Sequence, residues 1–192
     1  IGCEGFQDFK LRLARSLALG TLPTGSQLES EDTTSELIGK IFGYTISSLD
    51  WVRNRLDSRQ VSQAIQILSN AQSIEFFGLG ASGVVAIDAQ QKFPLFGVPC
   101  GAPTDTHQQI MTAAMMKPGD VAVVISNTGL TLAMIEVAQT ARESGAKVIA
   151  ITGSRSPILA ECDAGIIIET LENTNIYTPA ISRIAALVVI DI

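Results

Sequence analysis

A run of small hydrogen-bonding residues follows an apolar segment near the middle of the chain. Residues 121–125 are apolar and largely β-branched, which predicts a strand buried on both faces of a parallel sheet. The residues after it, where a helical pattern begins, are Ser126, Asn127, Thr128, Gly129 and Thr131. Hydroxyls and the free N–H groups of a helix start suit a phosphate. This predicts an anion site, although the same residues are favoured caps of any helix, and the sequence leaves both interpretations open.

A second loop offers similar chemistry after a predicted strand at residues 74–77. It reads Gly-Leu-Gly-Ala-Ser-Gly, in which Gly80 and Ala81 allow close backbone approach and Ser82 adds a hydroxyl. The spacing resembles the start of a dinucleotide fingerprint, but valine stands where the third glycine is expected and the next strand ends without an acidic residue. NAD binding is therefore disfavoured. If the two strands are neighbours, both loops face one crevice and can share one phosphate.

From Ser73 onward the pattern is strand, loop and helix, repeated. Five such strands predict an α/β fold with a doubly wound parallel sheet, covered by helices on both faces through right-handed crossovers. Ligands of such sheets bind at the carboxyl ends of the strands. Two helical patterns at residues 33–56 and 58–70 precede the sheet, and a terminal helix is predicted to begin between Thr174 and Pro179.

Composition restricts the class of protein. The 192 residues are 46% hydrophobic and carry a net charge of −6, which argues against binding nucleic acid through the overall field. No apolar run is long enough for a membrane span and no signal peptide is visible, so a cytoplasmic location without membrane association is expected. Three cysteines, without a CxxC pair, indicate neither a disulfide framework nor a metal site, and no cofactor is predicted.

The first part of the chain predicts a separate unit. Residues 1–19 form an amphipathic helical pattern, and residues 20–32, with glycine, proline and acidic residues, are typical of a linker. A domain boundary is therefore expected before residues 33–192. Because the chain starts at Ile1 without methionine and stops at Ile192 within an apolar run, we expect it to be a fragment of a longer protein.

Four further residues could reach the crevice, each with a plainer alternative. His107 follows the second strand, but it could instead hydrogen-bond locally at a helix start. Glu169 and Glu172 follow the fifth strand, where acidic residues are commonly solvated. Arg183 in the terminal helix could meet a ligand carboxylate or a neighbouring subunit, or simply be exposed. Since no pair of these residues forms an acid–base constellation, the sequence predicts a binding protein rather than an enzyme.

The two loops carry a family resemblance. Gly78-Leu-Gly-Ala-Ser82 and Ser126-Asn-Thr-Gly-Leu-Thr131 resemble the phosphate-binding segments of the sugar isomerase (SIS) domain, over roughly residues 34–192. The stretches 74–93, 119–131 and 177–191 are similar to the effector domain of RpiR-family transcriptional regulators, in particular the HexR type of hexose catabolism. Residues 1–19 resemble the last part of that family's N-terminal helix-turn-helix domain.

The resemblance implies a function for each part. It implies the SIS fold with flavodoxin-like strand order, a homodimer, and operator DNA bound through an N-terminal domain of which this chain carries only the end. The implied effector is a phosphorylated sugar or sugar acid, for the HexR type 2-keto-3-deoxy-6-phosphogluconate, held by Ser82 and Ser126. The alternative is a phosphosugar isomerase using the same site. One departure is Leu130, where HexR-like sequences often carry a basic residue.

Overall fold

A computed structural model describes residues 31–170, 172 and 180–192 of the chain. The predicted helix at residues 1–19 and almost all of the linker at 20–32 lie outside the described residues. The described part contains five strands and six α-helices, with two short 3₁₀ turns at Phe93–Phe96 and Pro157–Glu161.

The sheet is parallel throughout and has the order β2-β1-β3-β4-β5. Its strands are β1 (Ser73–Gly78), β2 (Cys100–Gly101), β3 (Asp120–Ser126), β4 (Lys147–Thr152) and β5 (Ala164–Ile167). All seven residues of β3 are buried, because helices cover both faces of the sheet at its central strand. The predicted doubly wound sheet and its flavodoxin-like order are confirmed. The order reverses between β1 and β3, and ligands of such folds bind at that point.

The helices divide between the two faces. They are α1 (Thr34–Arg53), α2 (Ser58–Leu68), α3 (Ala81–Lys92), α4 (Thr106–Met115), α5 (Leu132–Glu143) and α6 (Ile181–Ile190). One apolar core joins the sheet to α1, α2, α3 and α6, and includes Phe76 and Val85. The other joins it to α4 and α5, and includes Phe77 and Met134. Successive side chains of a strand point to opposite faces of the sheet, so the three central strands contribute residues to both cores.

Helix α1 begins where the sequence predicts. Thr33 and Glu36 form a capping box, in which the Thr33 hydroxyl oxygen accepts from the Glu36 N–H and the Glu36 carboxylate accepts from the Thr33 N–H. The helix buries only Val52 completely, and it exposes large apolar side chains at Ile38, Phe42 and Ile46. A free-standing apolar stripe of this kind favours contact with another surface.

The terminal helix differs from its prediction. It begins at Ile181, after Ala180 at the N-cap, rather than between Thr174 and Pro179. The reason is a long-range cap, because the carboxylate of Glu172 accepts hydrogen bonds from the first backbone N–H groups of α6.

The described residues hold neither a candidate membrane span nor a candidate metal cluster. No helix there is both long and apolar enough to cross a bilayer. The same part of the chain holds no group of three or more His, Cys, Asp or Glu residues that could bind a metal ion.

Candidate functional site

The loops after β1 and β3 meet in one cleft. The two strands are hydrogen-bonded neighbours in register, with Gly78 opposite Ile125, so their carboxyl ends leave the sheet side by side. A cleft of about 150 Å³ lies between them. Its polar lining comes from both loops: Ser82, Ser126, Asn127, Thr128 and Thr131. Ala81 also lines the cleft, and Gly80 lies beside it at the N-cap of α3.

The loop after β3 is a tight turn with its hydroxyl oxygens used as acceptors. Ser126 Oγ accepts from the Gly129 N–H at 3.2 Å, and Thr128 Oγ1 accepts from the Leu130 N–H at 3.2 Å. Each hydroxyl therefore still has its own proton to donate. Gly129 makes the turn with φ of +61°, and a side chain there would meet Ser156, since a Cβ would lie 1.9 Å from Ser156 Oγ.

Both helices that begin at the cleft lack a side-chain cap. Gly80 at the N-cap of α3 and Thr131 at the N-cap of α5 make no side-chain capping hydrogen bond. Each helix is 12 residues long, so its aligned peptide dipoles place partial positive charge at the cleft. Two uncapped helix starts beside several hydroxyls form an arrangement suited to a small anion.

Asn127 is held by its backbone. Its carbonyl oxygen accepts from the Gly153 N–H at 2.7 Å, and a Cβ at Gly153 would lie 2.5 Å from Asn127 Oδ1. The close approach ties the loop after β3 to the end of β4. Asn127 thus lines the cleft from a fixed position.

A smaller pocket adjoins the cleft and extends it toward α6. It shares Ser82 and Asn127 with the cleft and adds Ser182 and Arg183 from the first turn of α6. Among the described lining residues of both cavities, Arg183 is the one charged side chain. The predicted site residues Ser82, Asn127 and Arg183 are therefore brought together. Ser182, which no sequence motif marks as a site residue, lies with them.

Glu172 lies at the start of α6. One carboxylate oxygen accepts from the N–H groups of Ala180 at 2.7 Å and Ile181 at 3.1 Å. The other accepts from the Ser182 N–H at 3.0 Å and from its hydroxyl at 2.8 Å. The structure thus uses Glu172 to cap α6 beside the smaller pocket, and contact with a ligand stays a prediction for this residue.

This cap predicts a stability effect that differs between two neighbouring glutamates. Glu172→Ala should lower the free energy of unfolding by about 1–2 kcal/mol, because α6 loses its N-terminal acceptor. Glu169→Ala is the control, since Glu169 is 59% exposed and its carboxylate lies 3.9 Å from the Arg55 guanidinium. It should change stability by no more than about 0.5 kcal/mol. Urea unfolding of both variants measures the difference, and equal costs would contradict the capping role.

Neither His107 nor Glu169 is among the residues that line the cleft or the smaller pocket. Asp105 Oδ1 accepts from the backbone N–H of His107 at 3.0 Å, and the His107 side chain is exposed in the first turn of α4. The role of the His107 side chain stays a prediction. Glu169 faces solvent beside Arg55.

Comparison with known proteins identifies the family. The SIS domain family matches residues 67–192. The chain is 43% identical over 189 residues to the HTH-type transcriptional regulator HexR of Escherichia coli K12, covering 98% of this chain and 65% of that protein. It is 41% identical over 191 residues to HexR of Pseudomonas aeruginosa, covering 100% of this chain and 67% of the relative. The chain belongs to the SIS domain family. It spans about two thirds of the length of these two regulators.

A solved structure agrees with the fold of this SIS domain. The Vibrio vulnificus NanR protein complexed with ManNAc-6P superposes with a TM-score of 0.71 at 21% identity, covering 99% of this chain and 67% of that one. The resemblance to RpiR-family regulators of the HexR type, drawn from the stretches 74–93, 119–131 and 177–191, is confirmed.

Proposed function

We propose that this SIS domain is the effector-sensing part of a DNA-binding transcriptional regulator of sugar metabolism, and that it binds a phosphorylated sugar or sugar acid in the cleft. The observation that carries the proposal is the convergence of Ser82 and Ser126, from two different loops, on one cleft at the strand-order reversal. HexR regulators as relatives support the regulatory role.

The phosphate is assigned to the side of the cleft formed by the two loops. The hydroxyls of Ser82, Ser126, Thr128 and Thr131 can donate to phosphate oxygens, with backbone N–H groups at the starts of α3 and α5. Donors of this kind bind an anion without a full positive charge. Gly80, Ala81 and Gly129 let the backbone approach closely.

Arg183 supports an acidic effector. Arg183 lines the smaller pocket together with Ser82, and a carboxylate on the far end of a sugar acid could pair there with its guanidinium. A phosphorylated keto acid has its two anionic groups at opposite ends of a short chain. We therefore propose 2-keto-3-deoxy-6-phosphogluconate as the effector, with phosphate at the serines and carboxylate toward Arg183.

The cleft favours binding over turnover. A phosphosugar isomerase needs a base beside a carbonyl carbon. The described residues lining the cleft and the smaller pocket include no histidine, aspartate or glutamate. We therefore assign the site to an effector and keep the isomerase as the alternative, with His107, Glu169 and Glu172 as the residues that would have to turn inward.

The path from site to DNA runs through α1 in this proposal. Tyr44 of α1 lies near Glu172. Burial raises the pKa of the Tyr44 hydroxyl, and the charge of Glu172 raises it further. Glu172 in turn holds the first turn of α6, which lines the smaller pocket. We propose that residues 33–192 act as the effector domain, that residues 20–32 link it to a helix-turn-helix domain ending at residue 19, and that the exposed stripe of α1 contributes to a homodimer.

Thermal unfolding tests the proposal. At one hundred times its dissociation constant an effector stabilises the fold by about 2.7 kcal/mol. For a chain of this size that is a rise in Tm of about 5–10 °C. We expect the rise with 2-keto-3-deoxy-6-phosphogluconate and none with the same acid lacking its phosphate. No shift with any member of a panel of phosphorylated sugars and sugar acids would contradict the sensor function.

Leu130 offers a gain-of-affinity prediction. It is 61% exposed in the loop after β3 and contributes no charge. Leu130→Lys should tighten binding of an acidic effector about 1.4- to fivefold, as an exposed charge interaction is worth about 0.2–1 kcal/mol. Leu95→Lys, at another exposed leucine in a 3₁₀ turn, is the control. Titration calorimetry at low and high salt measures both, and equal affinities would show that position 130 does not face the ligand.

A further inference from the structure

A glutamine buried behind the cleft joins the two segments that frame it. Gln109 in α4 has no exposed surface. Its side-chain nitrogen donates to the carbonyl oxygen of Gly78 at 3.0 Å and to that of Pro103 at 2.8 Å. One amide therefore connects the end of β1, the loop after β2 and the first turns of α4. None of these contacts reaches the cleft directly.

The Gly78 carbonyl lies at a crowded point. A Cβ at Gly78 would lie 2.6 Å from the backbone oxygen of Ser82, and one at Gly83 would lie 3.1 Å from the oxygen of Gly78. Close packing of this kind transmits a displacement from one segment to the next. A shift of the Gly78 carbonyl would thus pass directly to Ser82, whose hydroxyl must be placed within about 0.5 Å to serve as a ligand donor.

The chemistry at this point requires a donor with two protons. Two carbonyl oxygens converge on Gln109 Nε2, and the amide group supplies one N–H to each. Gln109 Oε1 is buried and has no hydrogen-bond partner among the described residues. A buried acceptor without a partner costs stability, so stability alone gives an incomplete reason for a glutamine here.

We propose that Gln109 is a positioning residue for the effector site, which fixes the loop from Gly78 to Ser82 and so sets the affinity for the phosphate group. The inference rests on the proposed function. It adds a residue outside the cleft that acts on ligand affinity through the Gly78 carbonyl.

Gln109→Met tests it, since methionine keeps the length of the side chain and removes both donors. We expect the dissociation constant of the 192-residue chain for 2-keto-3-deoxy-6-phosphogluconate, and for inorganic phosphate measured in parallel, to rise at least tenfold. Ala113→Gly is the matched control. It weakens the same helix one turn later at a buried position and should change affinity less than twofold.

Gln109→Glu adds a readout that loss of packing would not produce, and it carries the test if Gln109→Met does not fold. Burial keeps a carboxyl neutral to higher pH, and its neutral form still has one proton to donate. Because the neutral form keeps only one of the two donors, Gln109→Glu should bind somewhat more weakly than the unaltered chain at pH 5.5. Its dissociation constant relative to that of the unaltered chain should then rise at least tenfold between pH 5.5 and pH 8.

The outcomes separate this inference from the proposed function. If Gln109→Met binds within twofold of the unaltered chain, or if Ala113→Gly weakens binding equally, the positioning role is overturned while the effector site stands. The positioning role is also overturned if the dissociation constant of Gln109→Glu, divided by that of the unaltered chain, is the same at pH 5.5 and pH 8. If the unaltered chain binds neither probe, both proposals fall together.

Discussion

The Ser126→Ala variant is expected to bind a phosphorylated sugar acid about 10- to 150-fold more weakly than the unaltered chain. A hydrogen bond to a charged phosphate contributes about 1.5–3 kcal/mol, and each 1.4 kcal/mol is a factor of ten in affinity. The same loss is expected for Ser82→Ala. Titration calorimetry of the two variants measures the change.

Ser126→Ala should separate binding from folding. The Gly129 N–H donates both to Ser126 Oγ and to the Ser126 backbone oxygen, the latter at 3.1 Å. Removing the hydroxyl therefore leaves no donor without a partner. The Tm without ligand should therefore change little. Ser62→Ala, at an exposed position of α2, is the control for the substitution itself.

The double variant gives a sharper criterion. If Ser82 and Ser126 hold the same phosphate, their losses should sum to more than the loss in the double variant, because the phosphate relaxes once either serine is gone. Strict additivity would indicate two independent contacts. Unchanged affinity in both single variants would remove these serines from the site.

Gly129→Ala is expected to abolish effector binding and to destabilise the fold by about 2–4 kcal/mol. A left-handed conformation costs a residue with a side chain about 1–2 kcal/mol, and Gly129 has a φ of +61°. The added Cβ would also lie 1.9 Å from Ser156 Oγ and 2.8 Å from Thr152 Oγ1, so the turn has to move.

Two other glycines of the same chain divide these causes. Gly97 has a φ of +77° with nothing within 4 Å of a Cβ, so Gly97→Ala measures the backbone cost alone. Gly43 lies inside α1 with nothing within 4 Å, so Gly43→Ala should stabilise the chain by up to about 1 kcal/mol. Urea unfolding of the three variants measures their free energies of unfolding. The value for Gly129→Ala should be lower than that for Gly97→Ala, and the value for Gly43→Ala should be higher than that of the unaltered chain. An equal loss of unfolding free energy in Gly129→Ala and Gly97→Ala would mean that the Ser156 side chain moves away without a cost in stability.

The sheet could be predicted from sequence because its signals are local. Apolar runs such as residues 121–125 are continuous, and each ends at a loop rich in glycine or hydroxyl residues, so strand and helix alternate visibly. The strand order, implied by the family resemblance, then brings Ser82 and Ser126 together, as β1 and β3 pair in register. The main polar lining of the cleft was accessible in this way.

The remaining site features depend on contacts distant in sequence. The bond from Gln109 to Gly78 spans 31 residues, and nothing around Gln109 in α4 distinguishes it from Gln108. The start of α6 could not be predicted from the sequence because its cap comes from Glu172. This residue lies eight to ten positions before the N–H groups that donate hydrogen bonds to it. Ser182 was missed for the same reason, since its place in the pocket depends on how α6 packs.

Arg183 shows what packing adds to a plain sequence pattern. An arginine in an amphipathic helix is usually a solvated charge, and the sequence alone allowed that interpretation. Packing of α6 beside α3 instead brings Arg183 into the pocket shared with Ser82 and Asn127. Its proposed role as the carboxylate partner thus depends on helix placement that no local pattern gives.

A crystal of the 192-residue chain soaked with 2-keto-3-deoxy-6-phosphogluconate would show whether the two loops hold one phosphate. We expect phosphate density with oxygens within about 3 Å of both Ser82 Oγ and Ser126 Oγ, and the carboxylate directed toward Arg183. Phosphate density bound elsewhere on the chain, with the cleft between the two loops filled only by water, would contradict that expectation.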